Sequence, residues 1–158
     1  MTKKFTHFDD SGNPNMVDIN DKKDTKRLAI AVGKVVMQKE TLKLINKNKI
    51  KKGDVFQVAN LAGIQGAKKT DNLIPLCHSL PLSYVKITFS SDEKNNCVNI
   101  KAEASLIGKT GVEMEALTAV SISALTIYDM CKSVDKTMKI DSIKLIHKSG
   151  GKTGIFNA

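Results

Sequence analysis

The sequence predicts an α+β fold in which helices cover one face of an antiparallel sheet. Two neighbouring segments, residues 83–90 and 97–106, alternate apolar and polar residues with the period of a strand, and the long apolar segment that follows has the length of a helix. The chain has 158 residues, of which 41% are hydrophobic and 26% are charged, and this suits one domain over residues 1–158. We therefore expect one hydrophobic core between a sheet and a layer of helices.

The first half of the chain predicts one strand and two helices. Residues 1–26 are polar, contain the turn-forming cluster DDSGNPN and form a predicted N-terminal arm. The segment RLAIAVGKVVMQ is rich in β-branched residues and predicts a strand. KETLKLINKN predicts a short helix, and KKGDVFQVANLAGIQGAKKT predicts a second helix with Asp54 as its N-cap.

The middle of the chain predicts a β-hairpin. In SYVKITFS the apolar residues Val85, Ile87 and Phe89 alternate with polar ones, and CVNIKAEASL repeats this pattern. The polar stretch SDEKNN separates the two segments. Period two on both sides of a polar turn is typical of a hairpin with one face in water.

The segment GKTGVEMEALTAVSISALTIYDMCK, residues 108–132, predicts one long helix that carries no charge from Ala116 to Tyr128. A helix that is apolar nearly all round is buried on most sides, and a sheet covers only one of them, so we expect a second subunit against it. DSIKLIHKS predicts a last strand, and residues 149–158 form a predicted tail with glycine and lysine. This order of elements resembles the split βαβ arrangement of ferredoxin-like sandwiches, with one extra helix.

Charge and composition narrow the classes of partner. The net charge is +9, and residues 1–52 contribute most of it with 13 basic and 6 acidic residues. Such a balance is typical of proteins that bind nucleic acid, an anionic membrane or a small anionic substrate. Aromatic residues are only 4%, which disfavours binding of single-stranded nucleic acid. We therefore do not expect nucleic acid as a partner. No apolar run predicts a transmembrane helix or a signal peptide, so we do not expect a membrane as a partner either.

The cysteines predict a reducing compartment, and one of them has a histidine beside it. Cys77, Cys97 and Cys131 are odd in number and have no CxxC spacing, so we expect reduced thiols in a cytoplasmic protein. DNLIPLCHSLPLS places Cys77 next to His78 in a loop between prolines. Three functional hypotheses are open: a zinc site with few other candidate ligands, a cysteine nucleophile, and a histidine that transfers protons to or from a substrate. A packed core loop explains the same residues without any function.

Asp129 and Lys132 return charge to the end of the long helix. They stand three residues apart and therefore share one face of it. A carboxylate beside an ammonium group is a common way to tune a general acid and base. The structural alternative is an ion pair at the helix end, where the helix dipole favours lysine.

The tetrapeptide GKTG occurs at residues 108–111 and again at 151–154, which invites comparison with a P-loop. A Walker A motif has a glycine five residues before its Gly-Lys pair, and those positions hold Glu103 and Ile146, so neither copy is a P-loop. Glycines still let backbone N–H groups turn toward an anion, and Lys148 and Lys152 lie on either side of Gly150 and Gly151. A flexible tail is the structural alternative.

Five motifs occur in one order along the chain: MVDI, KKGDV with AGIQGAKKT, DNLIPLCHSLPLS, GKTGVEMEALTAVSISALTIYDMCK and KSGGKTG. Together they resemble the cyclic pyranopterin monophosphate synthases, the C proteins of molybdenum cofactor biosynthesis. The resemblance implies a ferredoxin-like lyase that converts 3′,8-cyclo-7,8-dihydro-GTP into cyclic pyranopterin monophosphate and pyrophosphate. It implies a homohexamer built as a trimer of dimers, with the site at a dimer interface. The sequence itself calls for no resident cofactor, and a triphosphate substrate can carry Mg²⁺ with it. The implied reaction also suggests contact with the upstream radical enzyme that cyclises GTP.

The resemblance also implies roles for individual residues. Asp129 is the implied catalytic acid or base, and Lys132 and Lys52 act beside it. His78 is implied both in catalysis and in substrate contact. The implied substrate contacts are Leu76, Cys77, His78, Met114 and Glu115, and the implied triphosphate contacts are Lys68, Lys148 and Lys152.

The sequence disfavours two alternatives to an enzyme. A ferredoxin-like module that binds RNA or nucleotides would expose aromatic residues on one face of its sheet, whereas Tyr84 and Phe89 fall on opposite faces by parity. A purely structural oligomeric protein would account for the apolar helix. It would not account for Asp129 and Lys132 together with the PLCH and KSGGK motifs.

Overall fold

The computed structural model describes His7, residues 11–151 and residues 154–158. The strands are β1 (Thr25–Val36), β2 (Tyr84–Asp92), β3 (Cys97–Gly108), β4 (Lys139–Ser149) and β5 (Phe156–Asn157). The helices are α1 (Lys39–Asn46), α2 (Val55–Lys68), α3 (Thr70–Leu73) and α4 (Glu113–Cys131). Within these ranges no helix is long and apolar enough to cross a membrane.

The five strands form one antiparallel sheet in the order β2-β3-β1-β4-β5. β1 lies at its centre and pairs with β3 along its whole length, from Thr25 opposite Gly108 to Val36 opposite Cys97. Because β3 runs antiparallel to both of its neighbours, β1 and β2 run parallel on either side of it. This is a split βαβ unit, as the order of predicted elements indicates.

The helices cover one face of this sheet. Along β1 the side chains alternate, so that Ala29 and Ala31 are fully buried under the helices while Ile30 and Val32 are half-buried on the open face. On β2, Phe89 stacks against Phe56 of α2 with the ring centroids 5.3 Å apart, whereas Tyr84 is exposed. The predicted α+β sandwich is therefore confirmed, and the two aromatic residues of β2 lie on opposite faces.

Helices α2 and α4 pack against each other backbone to backbone at Gly63. A Cβ atom there would collide with the Ser123 hydroxyl and with the side chain of Ile87. Next to this contact the Ser123 hydroxyl donates a hydrogen bond of 3.0 Å to the carbonyl of Ala59. Since Ala59 lies at Ser123 and Gly63 lies near Ala119, the two helices are antiparallel. The start of α2 is therefore placed beside the end of α4.

The structure confirms the predicted start of α2 but not the predicted start of α4. The Asp54 carboxylate accepts a hydrogen bond of 3.0 Å from the amide of Gln57 and caps α2, as predicted. The prediction of one helix over residues 108–132 is wrong at its start, because α4 begins at Glu113. Gly108 instead pairs with Thr25 at the end of β3. The GKTG segment has two glycines, which are poor helix formers, and it makes the connection between β3 and α4.

A buried carboxylate joins the end of α4 to the start of α1. Asp135 is 2% exposed, and its Oδ2 accepts hydrogen bonds from the Gln38 amide at 2.8 Å and the Thr41 hydroxyl at 3.2 Å. Its Oδ1 accepts from the amide and the hydroxyl of Thr137 at 2.9 and 2.7 Å. Burial acts to raise the pKa of Asp135, but these hydrogen bonds outweigh it and leave the pKa below its ordinary value.

We expect Asp135→Ala to lower the free energy of unfolding by about 3 kcal/mol near pH 7, because buried donors lose their acceptor. Since folding lowers the pKa, the part of this contribution that depends on ionisation is present above about pH 4 and is lost as the pH falls through the folded value. Urea denaturation of both proteins at neutral and acidic pH measures the difference. The exposed Asp24→Ala is the control, and an equal cost for both substitutions would contradict the prediction.

Candidate active site

The Asp129 cluster consists of Lys52, Asp129 and Lys132. Asp129 lies in the last turn of α4, and Lys132 follows the helix. The Lys132 Nζ lies 2.8 Å from Asp129 Oδ1. Lys52, which precedes α2, places its Nζ 2.9 Å from Asp129 Oδ2 and 2.8 Å from the Asp129 carbonyl oxygen. The antiparallel packing of α2 and α4 thus brings together the three residues predicted from the family resemblance.

The two lysines fix the charge of the carboxylate between them. Hydrogen bonds from Lys132 and Lys52 hold the pKa of Asp129 at about 2, and the same contact with Asp129 raises the pKa of Lys132. The cluster therefore carries two positive charges and one negative charge at neutral pH. An anion that binds the lysines would compete with Asp129 for them, and the released carboxylate would become a stronger base.

The Glu115 cluster lies at the other end of α4 and consists of Leu76, Cys77, His78, Met114 and Glu115. Glu115 is 4% exposed in the first turn of α4, whereas the side chain of Met114 next to it is exposed. The half-buried loop after α3 supplies the other three residues. The His78 Nε2 lies 2.9 Å from the carbonyl oxygen of Val17 in the N-terminal arm.

Two of the hypotheses for Cys77 lose support in this surrounding. Burial, with further contributions from Glu115 and Asp71, raises the pKa of the Cys77 thiol. A raised pKa disfavours the thiolate that a cysteine nucleophile needs. Among the described residues no group of three or more His, Cys, Asp or Glu side chains is arranged to hold a metal, so the zinc hypothesis finds no ligand set there.

Glu115 is a carboxyl group that titrates near neutral pH. Burial raises its pKa to about 7, and a hydrogen bond from its own amide acts in the opposite direction. The value of about 7 already includes smaller contributions from the nearby carboxylates Glu113 and Asp71, which act in the same direction as burial. A carboxyl group that holds and releases a proton in this range suits general acid and base catalysis.

The pKa of Glu115 predicts how stability changes with pH. Because folding raises this pKa from 4.5 to about 7, ionisation of the buried carboxyl group opposes folding. We expect the wild-type protein to lose stability relative to Glu115→Gln as the pH rises through this interval, by up to about 3 kcal/mol at pH 8. Denaturation curves from about pH 4 to pH 8 measure it. A difference that does not vary with pH would contradict the prediction.

A basic cavity of about 650 Å³ lies at the same end of α4 as the Glu115 cluster. The arm, the connection between β3 and α4, and the end of β4 enclose it. Its basic side chains are Lys22, Lys23, Arg27, Lys109 and Lys148, and its acidic ones are Asp21 and Glu113. Such a lining suits a polyanionic group, with guanidinium and ammonium groups as donors.

Internal contacts hold part of this lining in place. The Arg27 side chain is 9% exposed and donates to the carbonyls of Gly108 at 3.1 Å and Lys109 at 3.0 Å. The Lys148 Nζ lies 3.0 Å from Glu113 Oε1. Sequence reasoning did not assign Arg27, Lys109 or Glu113 to the site. A buried-face arginine at the start of a largely apolar strand, and a lysine within GKTG, were the available signals.

The predicted site residues thus fall into two groups that do not meet within one chain. Glu115 and Asp129 are 14 positions apart on α4, which corresponds to about 21 Å along the helix. Lys68 ends α2 and Lys148 lines the cavity, so both lie at the Glu115 end. Lys152 lies outside the described residues.

Comparison with known proteins identifies the family. A family model described as the MoaC family matches residues 16–151. The chain is 58% identical to the cyclic pyranopterin monophosphate synthase of Chloroflexus aurantiacus over 96% of this chain and 93% of the relative. It is 53% identical to the protein of that name from Clostridium perfringens over 99% of both chains, and 52% identical to that of Natranaerobius thermophilus over 98% and 97%. The match spans the basic cavity and both clusters, and the chain therefore belongs to the MoaC family.

Proposed function

We propose that this chain is a lyase that converts 3′,8-cyclo-7,8-dihydro-GTP into cyclic pyranopterin monophosphate and pyrophosphate in molybdenum cofactor biosynthesis. The observation that carries the proposal is the Asp129 cluster, a carboxylate held between two lysines in a chain more than half identical to proteins named as this synthase. A carboxylate and two ammonium groups in contact can move protons and receive an anion in one place.

The Asp129 cluster supplies proton transfer once the substrate has bound. The substrate phosphates attract Lys52 and Lys132, so these lysines loosen their hold on Asp129 and its pKa rises from about 2. The freed carboxylate then takes protons as the purine-derived rings are opened and rebuilt. His78 and Glu115 are the further proton-transfer groups. Each such group contributes roughly 10²- to 10⁴-fold to the rate.

The basic cavity supplies the charge that pyrophosphate release requires. As the α-phosphate closes into its cyclic ester, negative charge collects on the departing pyrophosphate. Lys109, Lys148 and the buried Arg27 stabilise this charge without a P-loop. The family resemblance adds Lys68 and Lys152 to these phosphate contacts.

The active site of this proposal is assembled from two copies of the chain in a homo-oligomer. One substrate molecule cannot contact both clusters of a single chain, since about 21 Å of helix separates them. A second copy, related by twofold symmetry, would place its Asp129 cluster beside the Glu115 cluster of the first. Exposed apolar side chains on α2 and α4 support a protein partner there: Leu61 is 69% exposed and Leu125 is 54% exposed. The hexamer implied by the resemblance contains such pairs.

Other parts of the proposal follow from the substrate. A nucleoside triphosphate ordinarily carries Mg²⁺, so this ion would arrive with the substrate, and the enzyme needs no resident cofactor. The reaction belongs in the cytoplasm, next to the radical enzyme that cyclises GTP. Contact with that enzyme would protect the intermediate during its transfer.

The direct test is product formation by the purified protein. Incubation with 3′,8-cyclo-7,8-dihydro-GTP should release pyrophosphate and form cyclic pyranopterin monophosphate in equal amounts. A folded oligomer that binds the substrate without forming either product would favour a binding module, and the lyase proposal would fail.

Pyrophosphate itself should stabilise the folded protein. At about 100 times its dissociation constant a ligand adds about 2.7 kcal/mol, which is several degrees in Tm for a domain of this size. Thermal unfolding with and without pyrophosphate measures the shift, and Lys148→Ala should reduce it. The exposed Lys94→Ala is the control for simple loss of charge. An equal shift in both variants would remove the cavity from the proposal.

A further inference from the structure

The N-terminal arm is anchored at two points on the loops that border the site. The carbonyl oxygen of Val17 lies 2.9 Å from His78 Nε2, and the carbonyl oxygen of Asn20 accepts a hydrogen bond of 2.8 Å from Lys109 Nζ. A turn joins these two carbonyls, because the Asp18 Oδ1 accepts a hydrogen bond of 2.8 Å from the Asn20 amide. The arm thus touches both the Glu115 cluster and the basic cavity.

The contact with Val17 determines the form of the His78 ring. A backbone carbonyl only accepts hydrogen bonds, so Nε2 must carry the proton. In the neutral ring the lone pair then belongs to Nδ1, for which no partner is found in the described part of the chain. His147 provides a contrast within the same protein, because its Nδ1 lies 2.7 Å from the Asn157 side-chain oxygen and therefore carries the proton.

The arm is built to keep this carbonyl in place. Val17 and Ile19 are half-buried, while Asp18 and Asn20 between and after them are exposed. The apolar side chains fix the segment against the fold, and the Asp18 turn directs its carbonyls. Neither feature is needed to close the core, since β1 begins only at Thr25.

We propose that the arm is a positioning element of the active site: its Val17–Asn20 turn holds His78 as the Nε2–H tautomer, so that Nδ1 is the nitrogen that accepts a proton from the substrate. Proton transfer requires a lone pair at a defined place, and a ring free to flip would offer either nitrogen. The choice of substrate in this statement rests on the proposed function. The ring's tautomer does not, and it can be measured without any substrate.

Long-range ¹H–¹⁵N spectra of the full-length labelled protein read the tautomer directly. The chain has three histidines, so single His→Gln substitutions assign every ring. At about pH 9, where an ordinary imidazole is neutral, we expect a protonated Nε2 and an unprotonated Nδ1 for His78, and the reverse for His147. A His78 ring protonated at Nδ1, or one that averages the two tautomers, would overturn the proposal.

A pair of substitutions at Asp18 tests the arm without touching His78. Asp18→Ala removes the acceptor of the turn, whereas Asp18→Asn keeps an oxygen at the same place. We expect Asp18→Ala to average the His78 tautomers and to lower kcat about tenfold, with Asp18→Asn close to wild type in both measurements. The Tm should stay within about 2 °C in both variants, because the turn is exposed.

Two results would overturn the arm's role. One is a fixed His78 tautomer that survives in Asp18→Ala, which would show that other groups hold the ring. The other is an averaged tautomer with kcat unchanged, which would show that the ring's state does not matter to the reaction. If no product forms even in the wild-type protein, the spectra still decide the tautomer, so failure of the proposed function is distinguished from failure of this inference.

Discussion

Lys132→Ala and Asp129→Asn should each lower the rate of pyrophosphate release by roughly 10²- to 10⁴-fold. Asp129→Asn removes the proton acceptor, and Lys132→Ala removes one of the two cations that receive the phosphates and set the charge of Asp129. Both residues are exposed at the end of α4, so their loss should cost little folding stability. The two defects should therefore appear in kcat with the fold intact.

The measurement is the initial rate of pyrophosphate release at saturating 3′,8-cyclo-7,8-dihydro-GTP, with circular dichroism and size-exclusion chromatography on each variant. Lys136→Ala is the matched control, because Lys136 is an exposed lysine four residues beyond Lys132, and no contact of its side chain with the cluster is found in the described part of the chain. If both variants kept rates near wild type, the protein would still be the enzyme, but its catalytic residues would lie elsewhere than at this end of α4.

Mixing two inactive variants should restore activity if the site is built from two copies. Asp129→Asn damages one cluster and Glu115→Gln damages the other. In a mixed pair of subunits, one of the two shared sites carries both substitutions and the other carries neither. Random assembly of equal amounts should therefore restore about a quarter of the wild-type sites.

The recovery is best measured after co-expression of the two variants with different tags and isolation of the mixed oligomer. Asp129→Asn mixed with Lys132→Ala is the control, because both substitutions lie in the same cluster and every shared site keeps one of them. Recovery in the first mixture alone supports a shared site. No recovery in either mixture would mean that each chain builds its site alone, and the two-copy arrangement would be wrong.

Much of the fold could be predicted from local sequence patterns. The alternation of apolar and polar residues in the hairpin predicted which face of β2 and β3 is buried. The cap of α2 was also predictable, because the Asp54 carboxylate needs only a donor three residues away. The start of α4 was misplaced because apolar content does not reveal that Gly108 is already paired in the sheet. β5 was absent from the prediction because a pair of residues has no period, and its pairing depends on β4.

The site was less accessible to local reasoning. The spacing of Asp129 and Lys132 predicts their contact, but Lys52 is 77 positions away and only the packing of α2 on α4 brings it there. The family resemblance, not the pattern, pointed to Lys52. Arg27 and Glu113 were not predicted as site residues, because their contacts form between segments that are distant in the sequence. The raised pKa of Glu115 likewise comes from burial, which a sequence does not display.

The close contact of α2 with α4 at Gly63 limits how the two helices can move. At Gly63 the two helices lie so close that even a Cβ atom would collide with Ser123 and Ile87, so we expect α2 and α4 to slide or tilt little against each other. The two ends of the pair therefore keep their separation throughout a turnover. We therefore expect the motions that admit substrate and release products in segments that surround this pair, namely the loop at Leu76–His78 and residues 109–112. The value of kcat would then be limited by loop motions, which are faster than the bending of whole domains.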